Sequence, residues 1–423
     1  MQLHKYLPLA SDRMGTLWAL ASIKDACIIE YGPAGTTHYG IEGFMQLNSE
    51  LRASLYTTHM DENNIVMGDS DRLVETIKEV DAVYNPPYIF VVASSISSII
   101  GTDLECICED IQGEVSAKLI AFTGGGFRGD YTLGIREVMT ALAKKVVKPP
   151  VTKLSKSFNI IGSNVDCYNF SADLKELVGI MQEAFGYSLN TVFTANTSIK
   201  EIEEAARAEF NIVLRGEGVE AAKYLKDNYG MEYIEGAPYG FNGTLNWIKG
   251  IEKTLNVKSN QIYTSKQMEK ARRLIMRVKH TTFTYKSFNA ILSGNYDMLV
   301  DIYPFIASEL SINVVNAFVN HGIKEGAYRA MSEELSLKTL INASEIKKEE
   351  QLSHIKPDII FADGVLLEIA EAVPMKLQVS NPNLHNIQIY EYTPYMGFNG
   401  ATYIIEVLLN QINLNKKKLK SGY

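Results

Sequence analysis

Short β-branched runs alternate with longer amphipathic stretches along nearly the whole chain, and this alternation leaves few folds open. A strand with no polar face must be covered on both sides, and a helix crossing between two such strands covers it. Runs of this kind are Ala26–Glu30, Tyr88–Val92, Leu119–Phe122, Phe158–Ile161, Leu189–Phe193, Asn211–Leu214, Asn289–Leu292, Ile312–Phe318 and Asp358–Phe361. Most are followed by Gly, Ser, Asn or Asp and then by a helix-like segment. Stretches Ser171–Phe185, Ser198–Ala208 and Gly218–Tyr229 carry apolar residues at three- and four-residue spacing, as helices packed on a sheet do. The pattern predicts an α/β protein of βαβ units and parallel sheets.

Two seams divide the 423 residues. Val147-Lys-Pro-Pro-Val-Thr152 breaks any helix and precedes a fresh strand. The second seam, His280–Phe288, follows a charged helix at Lys266–Lys279. The expected division is three α/β domains, 1–150, 151–281 and 282–423, the last ending in a helix at Gly400–Ile412 that returns to another domain.

A net charge of −8 argues against a nucleic-acid partner, which would call for a basic face. The basic run Lys416–Lys420 reads as a solvated tail. No stretch of apolar residues is long enough to cross a membrane, and the first residues lack the apolar core of a signal peptide. Four cysteines are too few for a disulfide framework in a chain this long, so reduced thiols and a cytoplasmic location are expected.

Cys27 lies in an apolar strand and reads as a small buried hydrophobe. Cys106 and Cys108 would point about 200° apart on a helix, which disfavours a shared metal and favours core packing. Cys167 follows the strand at Phe158–Ile161 in a loop, at the strand end where open α/β sheets bind ligands. Thr123-Gly-Gly-Gly-Phe-Arg-Gly129 is a glycine-rich loop between strand and helix, but it lacks the Gly-Lys-Ser/Thr of a phosphate-binding loop. The seven histidines form no zinc-hydrolase pair, no Gly-x-Ser-x-Gly elbow exists, and no metal site is expected.

Several of these segments, in this order, resemble nitrogenase component 1 proteins. Ser11-Asp-Arg-Met-Gly15 through Ile23-Lys-Asp25-Ala26 to Tyr31-Gly-Pro-Ala-Gly-Thr36 is similar to the family's first cluster motif. Ser95, in the segment ending Ile100-Gly101-Thr-Asp103, stands where that family has another cysteine. Asp61–Leu73, Gly126-Phe-Arg-Gly129, Asn159-Ile-Ile-Gly162, Lys356–Gly364 and Pro394-Tyr-Met-Gly-Phe-Asn-Gly400 extend the likeness over nearly the whole chain. The resemblance implies three Rossmann-like domains with parallel sheets in a component 1-like arrangement. It also implies that Ser11, Thr36 and Ser95 replace the cysteines of an iron–sulfur cluster, and hydroxyls are poor iron ligands beside thiolates.

The resemblance places further residues near a buried cofactor cavity. Arg128 reads as a cavity cation or as an arginine paired with a carboxylate at a domain seam. Cys167 becomes a ligand-contact candidate. Arg215 falls nearest the family's cofactor cysteine and Gln388 near its cofactor histidine, so dinitrogen reduction at this subunit is not expected. His38, the one imidazole beside the Thr36 position, reads as a surface or interface residue. No residue stands out as catalytic.

Two functions follow. The first is an oxidoreductase subunit of anaerobic metabolism that binds no cofactor alone. A 4Fe–4S cluster would be shared with, or supplied by, a homologous component 1 subunit, in a homodimer or heterotetramer, with electrons from an ATP-dependent iron-protein reductase. The second is a non-catalytic carrier that holds a cofactor precursor or tetrapyrrole in the interdomain cleft, with Arg128, Arg215 and Tyr392 contacting carboxylates.

Overall fold

The computed structural model describes residues 5–45, 47, 51–68, 70–285, 287–324, 326–384 and 391–415. Thirteen described strands are β1 Cys27–Tyr31, β2 Ser54–Thr57, β3 Tyr88–Ala93, β4 Lys118–Phe122, β5 Ser157–Ser163, β6 Ser188–Thr194, β7 Phe210–Val213, β8 Glu232–Glu235, β9 Asn289–Gly294, β10 Asn313–Val319, β11 Thr339–Ile341, β12 Ile359–Asp363 and β13 Met375–Ser380. They form three sheets, ordered β2-β1-β3-β4, β6-β5-β7-β8 and β11-β10-β9-β12-β13, and every paired register is parallel. Parallel pairing with a helical crossover after nearly every strand explains why the central strands β1, β3, β5 and β7 are buried at every position.

All nine strands expected from the sequence are present. The helices near 171–185 and 218–229 run Phe170–Phe185 and Val219–Tyr229. The stretch Ser198–Ala208 is broken, with a five-residue helix Ile199–Glu203 followed by a 3-10 turn. The helix at Lys266–Lys279 is longer than expected, Gln261–Tyr285, and carries the chain into the second expected seam.

Phe158, Phe210, Phe288 and Phe361 belong to one apolar core that spans the second and third sheets. The last helix, Gly397–Leu414, packs on helices Phe170–Phe185, Phe241–Leu255 and Gln261–Tyr285, so the end of the chain returns to the second sheet's layer. Helix Asp12–Ala21 lies against helix Tyr131–Ala141 beside the first sheet. Among the described residues no helix is long and apolar enough to cross a membrane. The basic run at 416–420 lies outside the described residues.

Candidate functional site

Two of the three hydroxyl positions, Ser11 and Ser95, meet beside the loop that follows β4, and Thr36 lies in the helix that follows β1. Ser11 stands just before helix Asp12–Ala21, Thr36 lies in the first turn of helix Ala34–Met45, and Ser95 opens helix Ser95–Ile99 directly after β3 and Ser94. Backbone pairing sutures the first of these to the glycine-rich loop: Asp12 N–H donates to Gly129 O at 3.0 Å and Tyr131 N–H to Ala10 O at 2.9 Å. Gly126 of that loop then faces two of the hydroxyls at once. A Cβ there would lie 3.3 Å from Ser11 Oγ and 3.4 Å from Ser95 Oγ.

The iron–sulfur cluster that the resemblance implies does not fit these residues. Thr36 Oγ1 already donates to Pro33 O at 2.7 Å, and the Thr36 carbonyl accepts from Arg13, whose guanidinium is paired with the buried Glu30. Ser11 and Ser95 offer neutral hydroxyls, which hold iron far less well than thiolates. Among the described residues, no group of three or more His, Cys, Asp or Glu side chains is placed to hold a metal ion. Asp12 is fully buried beside this site, and among the described residues neither carboxylate oxygen has a partner at good hydrogen-bond geometry. Burial pushes its carboxyl up, against the opposing pull of nearby backbone N–H groups and the Arg128 guanidinium.

The Arg128 guanidinium is half exposed and ion-paired with Glu137, the carboxylate-paired alternative. Its neighbour Phe127 is exposed, as are Ile99 and Tyr39 on the helices that carry Ser95 and Thr36. His38 is a surface residue 3.2 Å from Glu42. Tyr392 also lies on the surface, with the Lys175 ammonium 4.7 Å from its ring centre. Gln388 lies outside the described residues. Cys27 and Cys108 are buried as expected, whereas Cys106 is exposed, its thiol 3.8 Å from Asp110. The helix Leu104–Ile111 has one apolar face, and residues two apart cannot both lie on it.

Cys167 and Arg215, in contrast, are brought together. Arg215 donates from Nε and Nη2 to both oxygens of Glu217, at 2.8 and 3.0 Å, and from Nη1 to Asp166 at 2.7 Å. The Cys167 sulfur lies 3.5 Å from the same Nη1. Arg215, Asp166 and Glu217 are buried, and Cys167 is half-buried beside them. Burial alone would push Glu217 up, but the guanidinium overrides it and holds the carboxyl at about 2. Burial keeps the Cys167 thiol up at about 12, so it is a neutral thiol and a weak nucleophile.

His321 and Asp297 complete the junction, and neither is conspicuous in the sequence. His321 Nε2 accepts from Tyr296 N–H at 3.0 Å, so the proton sits on Nδ1, which donates to Gly322 O at 2.7 Å. Burial lowers its pKa further, so the ring is neutral. Asp297 accepts the Gly216 N–H at 2.8 Å, and burial raises its carboxyl to about 7.

A cleft of about 340 Å³ opens between the first helix and the carboxyl edge of the third sheet. Asn295, Asn320, Asn342, Asp363 and Asn381 stand at or just after the ends of β9, β10, β11, β12 and β13, and all five line it. For Asn295, Asn320 and Asp363 the signal was the polar residue that ends or follows a run of β-branched side chains; Asn342 and Asn381 follow edge strands that the sequence did not signal.

The chain matches the family model of nitrogenase component 1 type oxidoreductases over residues 11–413. It is 23% identical to a light-independent protochlorophyllide reductase subunit of Nostoc punctiforme, over 98% of this chain and 84% of that protein. It is 24% identical to the nitrogenase iron-molybdenum cofactor biosynthesis protein NifE of a Nostoc species, over 85% of this chain and 69% of that protein. Among solved structures, nitrogenase Cp1 at pH 6.5 superposes with a TM-score of 0.80 at 15% identity, covering 98% of this chain and 95% of that one. With its three parallel sheets, the chain belongs to the nitrogenase component 1 type oxidoreductase family.

Proposed function

We propose that this chain is a component 1 subunit that carries no redox centre of its own, built from three α/β domains at 1–150, 151–281 and 282–423. It works beside a homologous component 1 subunit that supplies the cluster thiolates. An ATP-dependent iron-protein reductase delivers the electrons. The observation that carries this reading is that hydroxyls stand at Ser11, Thr36 and Ser95, with Ser11 and Ser95 both facing Gly126 of the glycine-rich loop. The exposed Tyr39, Ile99 and Phe127 around these positions support a subunit interface there, since grouped exposed apolar side chains mark contact sites.

The test is anaerobic purification of the chain alone and of the chain with its co-purifying partners. The chain alone should be colourless and iron-free, and iron in the complex should track the stoichiometry of a cysteine-bearing partner. Broad visible absorbance and bound iron in the chain alone would refute the reading. The carrier reading keeps support from the 340 Å³ cleft but loses its proposed carboxylate contacts, because Arg215 and Arg128 are already ion-paired and Tyr392 is on the surface.

A further inference from the structure

A basic face runs along helix Gln261–Tyr285 and the segment that leads into it. Residues 249–279 carry nine lysines and arginines against two glutamates, a net charge of +7, so the rest of the chain carries −15. All nine basic residues are exposed. Lys266, Lys270, Arg273 and Arg277 recur at four-, three- and four-residue steps, which sets them in one row along the helix. The row is about 17 Å long. Thr264, Ala271, Val278 and Thr282 are buried on another side of the helix, so the row faces solvent. Lys249 and Lys253 add charge from the neighbouring helix Phe241–Leu255.

Few carboxylates answer this charge. Among the described residues, Glu269 alone lies within ion-pairing distance of any of the nine, 3.8 Å from Arg273, and both side chains are exposed. Glu176 and Glu183 approach the start of the helix near Tyr263, and Glu309 approaches its end near Lys279. With these three included, nine basic groups still stand against five carboxylates. Like charges at three- and four-residue spacing also work against a helix. The row therefore lowers the stability of the element that carries it, and an anionic surface laid on it would reverse that.

We propose that this face docks a partner protein through an acidic helix whose carboxylates repeat once per turn. Successive basic groups of the row stand about 5–6 Å apart, the spacing of carboxylates three or four residues apart on a facing helix. Charges matched in this way steer the encounter and fix its register. Ile262, four residues before Lys266, and Met276, three after Arg273, are exposed beside the row and supply apolar contact area. The helix packs on Phe170–Phe185, Phe241–Leu255 and Gly397–Leu414, so this face stands apart from the first-sheet site where Ser11 and Ser95 meet.

Two other polyanions fit less well. A nucleic acid would run past the end of so short a row onto a surface of net negative charge. Among the described side chains of residues 249–279 no aromatic ring is exposed to stack on a base. A lipid surface takes an amphipathic helix by its apolar side, and here that side is buried in the protein.

Titration of the intact protein into a labelled helical peptide, followed by fluorescence anisotropy, tests the proposal. The peptide's glutamates repeat at alternating four- and three-residue steps. A peptide of the same composition with its glutamates spread round the helix, a DNA duplex and phosphatidylserine vesicles are the other probes. The first peptide should bind saturably in the micromolar range, at least tenfold tighter than each of the others, and weaken at least tenfold between low salt and about 150 mM. Lys266→Gln, Lys270→Gln, Arg273→Gln and Arg277→Gln combined should lose at least tenfold in affinity and melt no earlier than the parent. Lys24→Gln, Lys200→Gln, Lys223→Gln and Lys347→Gln combined, which remove four exposed charges elsewhere, should bind as the parent does. Equal binding of the two peptides, tighter binding of the duplex or the vesicles, no binding of any probe, or full affinity in the first fourfold variant would overturn it. So would self-association of the protein that this variant abolishes, since the occupant would then be a second copy of the chain.

Discussion

Arg215 sits where the sequence resemblance looks for a cofactor cysteine, and its burial decides what that position now does. Its charge is answered by Asp166 and Glu217, both almost fully buried with it. Removing the arginine strands two carboxylates in a low-dielectric junction, so Arg215→Met should cost about 3–5 kcal/mol in urea denaturation. The triple variant Arg215→Met, Asp166→Asn, Glu217→Gln should recover most of that loss. A single variant as stable as the parent would mean the network is not what holds the junction. Cys167 and Arg215 were both legible in the sequence as candidates. Their partnership was not, although Asp166 adjoins Cys167 and Glu217 stands two residues beyond Arg215. Charge pairing across 49 residues depends on how β5 and β7 lie side by side, and a linear pattern does not encode that. His321 was hidden for the same reason, since its tautomer is set by Tyr296 N–H and Gly322 O after folding.

Helices Asp12–Ala21 and Tyr131–Ala141 cross with their backbones in contact. A Cβ on Gly15 would run into the Tyr131 carbonyl, and one on Gly134 would meet the Asp12 carbonyl, with Thr16 N 2.6 Å away. In an exposed helix interior, Gly→Ala gains about 0.5–1 kcal/mol. Here the sign reverses, because no flexible side chain is available to move. Gly134→Ala should destabilise by about 1–3 kcal/mol, as overpacking does. The urea midpoint measures this, and an unchanged or higher value would show that the crossing has room. Since the crossing positions Ser11 against the glycine-rich loop, the same variant tests how firmly the hydroxyl site is held. Gly15 was readable as part of a motif, but its packing partner on a helix more than a hundred residues away was not. Element by element, the interior of each sheet was legible and the margins were not. The four strands absent from the sequence reading, β2, β8, β11 and β13, are all edge strands. An edge strand is covered less fully, so β8 reads Glu-Tyr-Ile-Glu and β11 has three residues, and neither shows a continuous apolar run.

Across the whole molecule, three buried carboxyls stitch the second sheet's layer to the third. Asp173 accepts from Tyr395 and Met396 N–H at 2.6 and 2.8 Å, ahead of the returning C-terminal helix. Asp297 accepts from Gly216, and Glu309 holds the start of helix Phe241–Leu255 through Phe241 and Asn242 N–H, each at 3.1 Å. Burial pushes each of the three up to about 7, with backbone donors pulling the other way. In the unfolded chain these groups titrate near about 4. The folded state therefore binds protons more tightly, and stability falls as pH rises from about 4 to about 7. Glu217 acts oppositely, because its depressed value stabilises the fold above about 4 and that gain is lost as pH falls toward about 2. Taken alone, these four groups favour the fold most near pH 4–5, whereas the buried neutral His321 adds stability that is lost as pH falls below about 6.5. One pKa unit retained at each joint amounts to about 4 kcal/mol over the whole titration, of which about 2 kcal/mol falls between about pH 4.5 and pH 8. Urea midpoints measured across that range should decline as pH rises, and Asp173→Asn, Asp297→Asn and Glu309→Gln combined should flatten the profile. A midpoint that climbs from pH 5 to pH 8 in the parent protein would mean that these joints are solvated and that the second and third layers open there before they unfold.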